Sequence, residues 1–381
     1  VISFAFYQTE LPINEGFQKA GFYNMLKGLS ILRKTKRAKS GNSLVSMGEK
    51  TIIGEQVSFE GSMRGNEDLL INGSVKGSIE LHDYHLTVAP KGQVQAEIHA
   101  ENVTISGRLV GNIKATCKVD ITKEADFSGE IKAKHISVED GAYLKAVIEL
   151  DREPQKKAEP ADKTAEQAAS RSEKEPLTLL SDAESLAISA HHPWEDTSLE
   201  PDPASNVVRL FLEGLKEEGK VLDVGPVCGE NISFFAQRVK RLYVCDMFLR
   251  LDQERRKSLP ISWVWQHLDY PPQSFDGILL WNLIDCLDDS EVGRLVELCH
   301  NIVRSGGMVM VFVLAEQAIR TVVNSFVIGE GIRLDLRPQP HLDIPFHIRQ
   351  NREVLALLAP FIPIKSFIYQ KGLRQFLFQR D

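Results

Sequence analysis

The sequence predicts two folded units of different class, an all-β parallel β-helix followed by an α/β unit built on a mainly parallel sheet. Three observations predict it. A repeat of about 17 residues runs from Thr51 to about Leu150. A stretch over 151–205 is dominated by Glu, Lys, Ala, Asp, Ser and Pro. After Asn206, apolar runs alternate with helical periodicity. The chain therefore divides into a tail (1–50), a β-helix (51–150), a tether (151–205) and an α/β unit (206–381).

With 381 residues, 43% of them hydrophobic, the chain has enough apolar side chain for more than one core. Its formal net charge of −7 has the wrong sign for a general nucleic-acid binder, so no nucleic-acid partner is expected. Five cysteines without a C-x-x-C pair make a poor disulfide framework and offer no zinc spacing. The expectation is a reducing cytoplasm and no metal site. No apolar run reaches the ~18 residues of a membrane-spanning helix. Val1 to Phe6 is too short, and lacks the preceding basic residues, for a secretory leader. Because residue 1 is Val, translation is expected to start at a non-standard codon or at Met25 or Met47.

In the tail, Leu26, Leu29, Ile31 and Leu32 stand beside Lys27, Arg33, Lys34, Lys36, Arg37 and Lys39, with no acid before Glu49. Such a patch suits an anionic membrane surface, where each cation contributes about 1 kcal/mol. A solvated basic tail accounts for it equally well.

The windings open at Thr51, Leu69, Leu86, Val103, Val119 and Ile136, and an apolar residue follows two positions later at Ile53, Ile71, Val88, Ile105, Ile121 and Val138. A third row falls at Phe59, Val75, Val94, Leu109, Phe127 and Leu144. A fourth, four residues on, falls at Met63, Ile79, Ile98, Ile113, Ile131 and Ile148. Alternation sends every second side chain inward, and glycines such as Gly61, Gly77, Gly111 and Gly129 supply the φ values that corners need. Stacked coils then share an apolar column that no coil can bury alone. A hexapeptide β-helix of the acyltransferase kind needs an inward residue every six positions, and the step of four from Val94 to Ile98 breaks that rule. His82, His85, His99 and His135 occupy different rows without a common partner, so they read as loop histidines rather than catalytic bases.

The strings T-I-I-G-E-x-V-x-F-E-G (Thr51 to Gly61), L-L-I-N-G-S-V-K-G-S-I (Leu69 to Ile79), I-S-G-R-L-V-G-N-I (Ile105 to Ile113) and F-S-G-E-I (Phe127 to Ile131) closely resemble the bactofilins. That resemblance implies a right-handed β-helix assembling end to end into nucleotide-independent bacterial cytoskeletal filaments. It also implies a peripheral position at the inner face of the cell membrane, held by a short N-terminal segment, here residues 25–40. Self-association has a physical ground too. The first and last coils of a solenoid expose unpaired strand edges unless capped, and no polar capping helix follows Leu150.

Residues 151–205, with Pro154, Pro160, Pro176, Pro193, Pro201 and Pro203, bury too little apolar surface to offset their ordering entropy and are expected to form a flexible tether. Within them, Leu177 to Ile188 has apolar content for a short docking helix but an irregular register. In the α/β unit, the pattern predicts helices over Val207 to Leu215 (Val208, Leu212 and Leu215 inward), Glu230 to Val239 and Ser290 to Val303. It predicts strands over Lys220 to Gly225, Arg241 to Asp246, Gly277 to Trp281 and Met308 to Leu314, and a terminal hairpin around Lys371-Gly372.

The segment V-L-D-V-G-P-V-C-G-E-N (Val221 to Asn231) is a strand, a turn and a helix start whose free N–H groups can face an anion. It lacks the G-K-[ST] of a P-loop, and Val227 and Glu230 stand where a dinucleotide fingerprint begun at Gly225 needs glycines. The D-x-G-x-x-x-G form that remains resembles motif I of class I S-adenosylmethionine-dependent methyltransferases, with a Rossmann-like fold. The resemblance implies a cofactor site at Asp223, Gly225, Val227 and Gly229, with Asp246 on the ribose hydroxyls and Leu268 and Asp269 beside the adenine. Val227 departs from the family's second glycine; its Cβ narrows the site and would be strained at positive φ. Asn282 and Asp285, just past the fourth strand, are the candidate catalytic residues, with helix capping as their ordinary alternative. Trp263, Trp265 and Trp281 read as acceptor-pocket or core aromatics. Two functions stand: a polymer-forming, membrane-associated scaffold displaying the second domain, or an active methyltransferase oligomerised by its β-helix.

Overall fold

The computed structural model describes residues 50–151, 204–216, 218–314, 323–369 and 372–381. The basic segment 25–40 and the tether, apart from its end residues, lie outside the described residues.

The first unit winds through β1 (Lys50–Ile53), β2 (Ser58–Arg64), β3 (Asp68–Ile71), β4 (Ser74–Glu80), β5 (His85–Val88), β6 (Gln93–Ile105), β7 (Arg108–Ile121), β8 (Asp126–Ala133), β9 (His135–Val138) and β10 (Tyr143–Leu150). One parallel ladder runs β1-β3-β5-β6-β7-β9 and the other β2-β4-β6-β7-β8-β10, with β6 and β7 long enough to serve both. The register places like on like: Ile53 beside Ile71, Val75 beside Val94, Ile79 beside Ile98. The apolar rows read from the repeat form the core, and only Thr51 and Phe59, both in the first coil, stay partly exposed. Between the third and fourth rows the strand turns a corner. At Gly77 φ is 133°, and a Cβ there would lie 2.0 Å from the Gly61 carbonyl oxygen of the coil before it, so both the angle and the close stacking require glycine.

The second unit opens with α1 (Asn206–Gly214), capped by Ser205, whose hydroxyl accepts from the Val208 N–H at 3.1 Å. Val207, Val208 and Phe211 form its buried face, rather than Val208, Leu212 and Leu215. The reason is Gly277, which leaves room for the Phe211 ring; a Cβ there would lie 2.4 Å from it. There follow β11 (Lys220–Asp223), α2 (Gly229–Ala236), β12 (Arg241–Cys245), α3 (Met247–Arg256), the single turn α4 (Ser262–Trp265) and β13 (Phe275–Trp281). Next come α5 (Asp289–Ile302), β14 (Val303–Leu314), β15 (Asn324–Ile328), β16 (Leu334–Pro338), α6 (Asn351–Leu357), β17 (Ile362–Ile368) and β18 (Leu373–Gln379). Asp288 and Glu291 close a capping box at the start of α5, whose inward stripe is Val292, Leu295, Val296, Cys299 and Ile302.

The strands β12-β11-β13-β14 are parallel. β18 inserts antiparallel beside β14, with β17 antiparallel at the edge. This is a Rossmann-like sheet ended by the hairpin that the sequence pattern predicts. β15 and β16 form a separate antiparallel pair.

One expectation is corrected. The sequence leaves both ends of the β-helix open, yet β10 pairs antiparallel with β12, from Lys145 opposite Cys245 to Ile148 opposite Leu242. The solenoid and the α/β sheet are thus one continuous sheet. The cap is a strand edge from a distant part of the chain rather than a helix after Leu150, and such a partner leaves no local signature.

Candidate functional site

Two places carry functional weight: the motif turn of the α/β unit and the ends of the β-helix. At the turn, Asp223 ends β11, and its Oδ1 accepts from the Gly225 N–H at 2.9 Å and from the Trp281 indole N–H at 2.7 Å. Trp281 ends β13 with φ of 50°, a left-handed conformation that costs a bulky residue about 1 kcal/mol or more. Its indole lies over Gly225, where a Cβ would sit 2.3 Å from the ring. Phe326 of β15 stacks on Trp281 at 6.2 Å between centroids, and Phe312 meets it edge-on at 5.5 Å. Asn231 of α2 fixes that lid, donating to the Phe326 carbonyl at 2.6 Å and accepting from the Ile328 N–H at 2.9 Å.

Asp246 caps α3: Oδ1 accepts from the Leu249 N–H at 2.8 Å, and Oδ2 accepts from the Val227 N–H at 3.0 Å. Burial pushes the pKa of Asp246 up to about 7 and that of Asp223 up to about 6. Val227 is buried and its φ is not positive. Gly229 faces the other unit, since a Cβ there would lie 2.1 Å from the Val138 carbonyl oxygen at the end of β9. Leu268 is buried in the core, whereas Asp269 is exposed. The fold therefore gathers Asp223, Gly225, Val227, Gly229 and Asp246, and of the adenine pair it sends one residue inward and one to solvent.

Past the fourth strand, Asn282 is fully buried, and neither of its amide atoms has a partner among the described residues. Asp285 Oδ2 accepts from the Leu314 N–H at 2.9 Å and so anchors the end of β14; burial pushes its pKa to about 7. Trp265 is buried and Trp263 is 54% exposed.

S-adenosylmethionine would need open space over the motif glycines and a free carboxylate for its ribose. Trp281 covers Gly225 and the β9 backbone covers Gly229, while each Asp246 oxygen accepts one backbone N–H and retains a second lone pair. In this arrangement the turn does not fit the cofactor. The feature favouring a ligand is the orphaned Asn282 amide, a buried donor and acceptor without a protein partner among the described residues.

The last coil is held by side chains that sequence reasoning missed. Arg241 donates to Glu149 at 3.0 Å. The Arg250 guanidinium lies 3.6 Å from the Tyr143 ring centroid. Arg337 of β16 bridges Asp140 at 2.7 Å and Glu230 at 2.6 Å. Asp140, Cys228 and Glu230 bring metal-ligand atoms within 4.8 Å of one another, but the Arg337 guanidinium already pairs with both carboxylates and holds the pKa of Glu230 down to about 2. A signal lay in the matching charges, acids on the last two coils and arginines on the α/β unit.

Coils stacked around an apolar column, joined to a Rossmann-like sheet, define the class: a β-solenoid protein carrying a Rossmann-like α/β domain. Residues 51–149 match the family model described as Bactofilin, polymer-forming cytoskeletal. Bactofilin BacO of Myxococcus xanthus (strain DK1622) is 37% identical over 123 residues, which is 32% of this chain and 97% of that protein. Bactofilin BacN of the same organism is 43% identical over 107 residues, 28% of this chain and 94% of its own length. The chain belongs to the bactofilin family. Among solved structures, N-methyltransferase NodS from Bradyrhizobium japonicum WM9 aligns with a TM-score of 0.31 at 14% identity, over 46% of this chain and 92% of its own. An S-adenosylmethionine-dependent methyltransferase from Mesorhizobium loti aligns with a TM-score of 0.30 at 13% identity, over 45% of this chain and 96% of its own.

Proposed function

We propose that this chain is a self-assembling cytoskeletal scaffold whose building block is the β-helix, that residues 25–40 hold it at the inner face of the cell membrane, and that the α/β domain travels as a docked block. The observation that carries this is the first coil. Among the described residues, β1 and β2 are each paired on one side only, and Ile52 and Val57 are 60% and 50% exposed. A parallel strand edge beside exposed aliphatic side chains is a template for a further copy. Sedimentation and electron microscopy of the full chain test it: self-association into two or more copies is expected without added nucleotide, and a chain that stays monomeric at high concentration would end the scaffold account. For the membrane role, co-sedimentation with anionic vesicles should fall when Arg33, Lys34, Lys36, Arg37 and Lys39 are replaced by Gln; unchanged binding would remove that role.

An S-adenosylmethionine-dependent enzyme oligomerised by its β-helix is the second reading, favoured by the orphaned Asn282 amide. Titration calorimetry of the full chain with the cofactor decides it. No heat of binding is expected, because Trp281 and the β9 backbone occupy the turn; micromolar binding would reinstate the enzyme.

A further inference from the structure

The pairing of β10 with β12 puts part of the chain itself where a second copy would have to add. A strand edge accepts one ladder at a time; of the last coil's two strands, β10 is filled by β12 from Lys145 to Ile148, while β9, paired only with β7, is covered at its end by the start of helix α2. The contact is built on three levels. Main-chain pairing extends the solenoid's own ladder. The apolar column continues from Leu144 and Ile148 into Leu242, Val244 and Ile232 in a single core. At the rim, Glu149 meets Arg241, and Asp140 meets Arg337. Glycine at 229 lets helix α2 approach the β9 backbone closely enough to complete the seat. The first coil has no such cover among the described residues.

We infer that the α/β domain is a terminating cap: by occupying the C-terminal coil it restricts assembly of the closed chain to the first coil, so that growth stops at two copies until the cap undocks. This rests on the scaffold function proposed above. The partner at the free end is a second copy of the same chain, because two identical edges related by a two-fold axis are self-complementary. Undocking would expose β10, the end of the apolar column and an acidic rim, and so convert a two-copy unit into one that extends from both ends.

The test compares two chains that both carry one reporter substitution in β10, the otherwise native full chain and a release variant, Arg241→Glu with Arg337→Glu, which reverses charge on the α/β side alone. Docking is monitored through Lys145→Cys, placed opposite the native Cys245, whose intrachain disulfide reports the closed state. By mass photometry and sedimentation the full chain is expected as a two-copy species, unchanged when the disulfide locks it. The release variant is expected to lose the disulfide and grow to species of many copies. Long filaments formed by the locked chain would overturn the cap while leaving the scaffold function standing. A release variant that has lost the disulfide yet stays at two copies would also overturn the cap. If locked, unlocked and released chains are all monomeric, the scaffold function falls and the cap falls with it.

Discussion

The first and last coils of this β-helix are built from the same repeat and meet opposite fates. Phe59 and Phe127 hold the same row, but Phe59 is partly exposed while Phe127 is fully buried. β1 and β2 have one neighbour each among the described residues, whereas β10 lies between β8 and β12. A repeat protein has no intrinsic means of ending, because every coil offers the surface that the next one needs. Here one end is answered by another domain of the same chain. The repeat dictates the coil, and the neighbour dictates whether that coil is an edge.

Glycine substitutions should expose this difference most strongly. Gly77→Ala forces a Cβ into the carbonyl oxygen of Gly61 at a φ of 133°, and should cost about 4 kcal/mol or more by chemical denaturation. Gly61→Ala, at a φ of 144° but with only the Phe59 ring near its Cβ at 3.6 Å, should cost about 1–3 kcal/mol, the strain alone. Equal losses would mean that the first coil is covered like an inner one.

Next in size comes charge buried in the capping domain. Burial raises Asp285 from the ordinary carboxylate range to about 7. A raised acid favours the fold below the unfolded-state pKa, near pH 4, and that contribution is lost as pH rises through 7. Asp285→Asn keeps an acceptor for the Leu314 N–H and should stabilise the α/β domain at pH 8 by about 1 kcal/mol or more. It should also flatten the fall between pH 4 and 7. A variant with the slope of the native chain would rule out Asp285 as its source.

Smaller effects are expected at the rim. Arg337→Ala should cost roughly 0.5–1 kcal/mol, because both partners are partly solvated. The Glu230 carboxyl is lowered to about 2 by that guanidinium. Its contribution is therefore present above pH 4.5 and fades as pH falls toward 2, so native and variant melts should converge in acid. Smallest of all on folding is Ile52→Lys, at an exposed first-coil position. Stability should change by less than about 0.5 kcal/mol, while the tendency to pair should drop in sedimentation. A variant that still associates fully would place the contact elsewhere.

The β-helix was legible because its information is local and repeated: each inward residue is announced by the one above it, from Ile53 to Val138. The α/β strands were legible as apolar runs, and the capping box at Asp288 to Glu291 lies in the sequence as a string. Other features depended on distant partners. Gly225 and Gly229 match a motif, but in the fold they make room for Trp281 and for the β9 backbone. Asp246, which the motif resemblance assigns to the ribose hydroxyls, ties the Val227 turn to α3. α3 itself reads as polar, with Asp252 and Glu254 buried on its inner side, and β15 and β16 gave no signal that they would close over the motif. No spacing in the sequence foretold that β10 and β12 would share a ladder.

That shared ladder is the claim on which the rest turns, and trapping it chemically is the most direct measurement. Under mild oxidation of the full chain carrying Lys145→Cys, peptide mapping should find a disulfide from position 145 to Cys245, with each copy running as a single chain on a non-reducing gel. A disulfide that joins two copies through these positions, or none while the protein remains folded, would contradict the closed C-terminal coil.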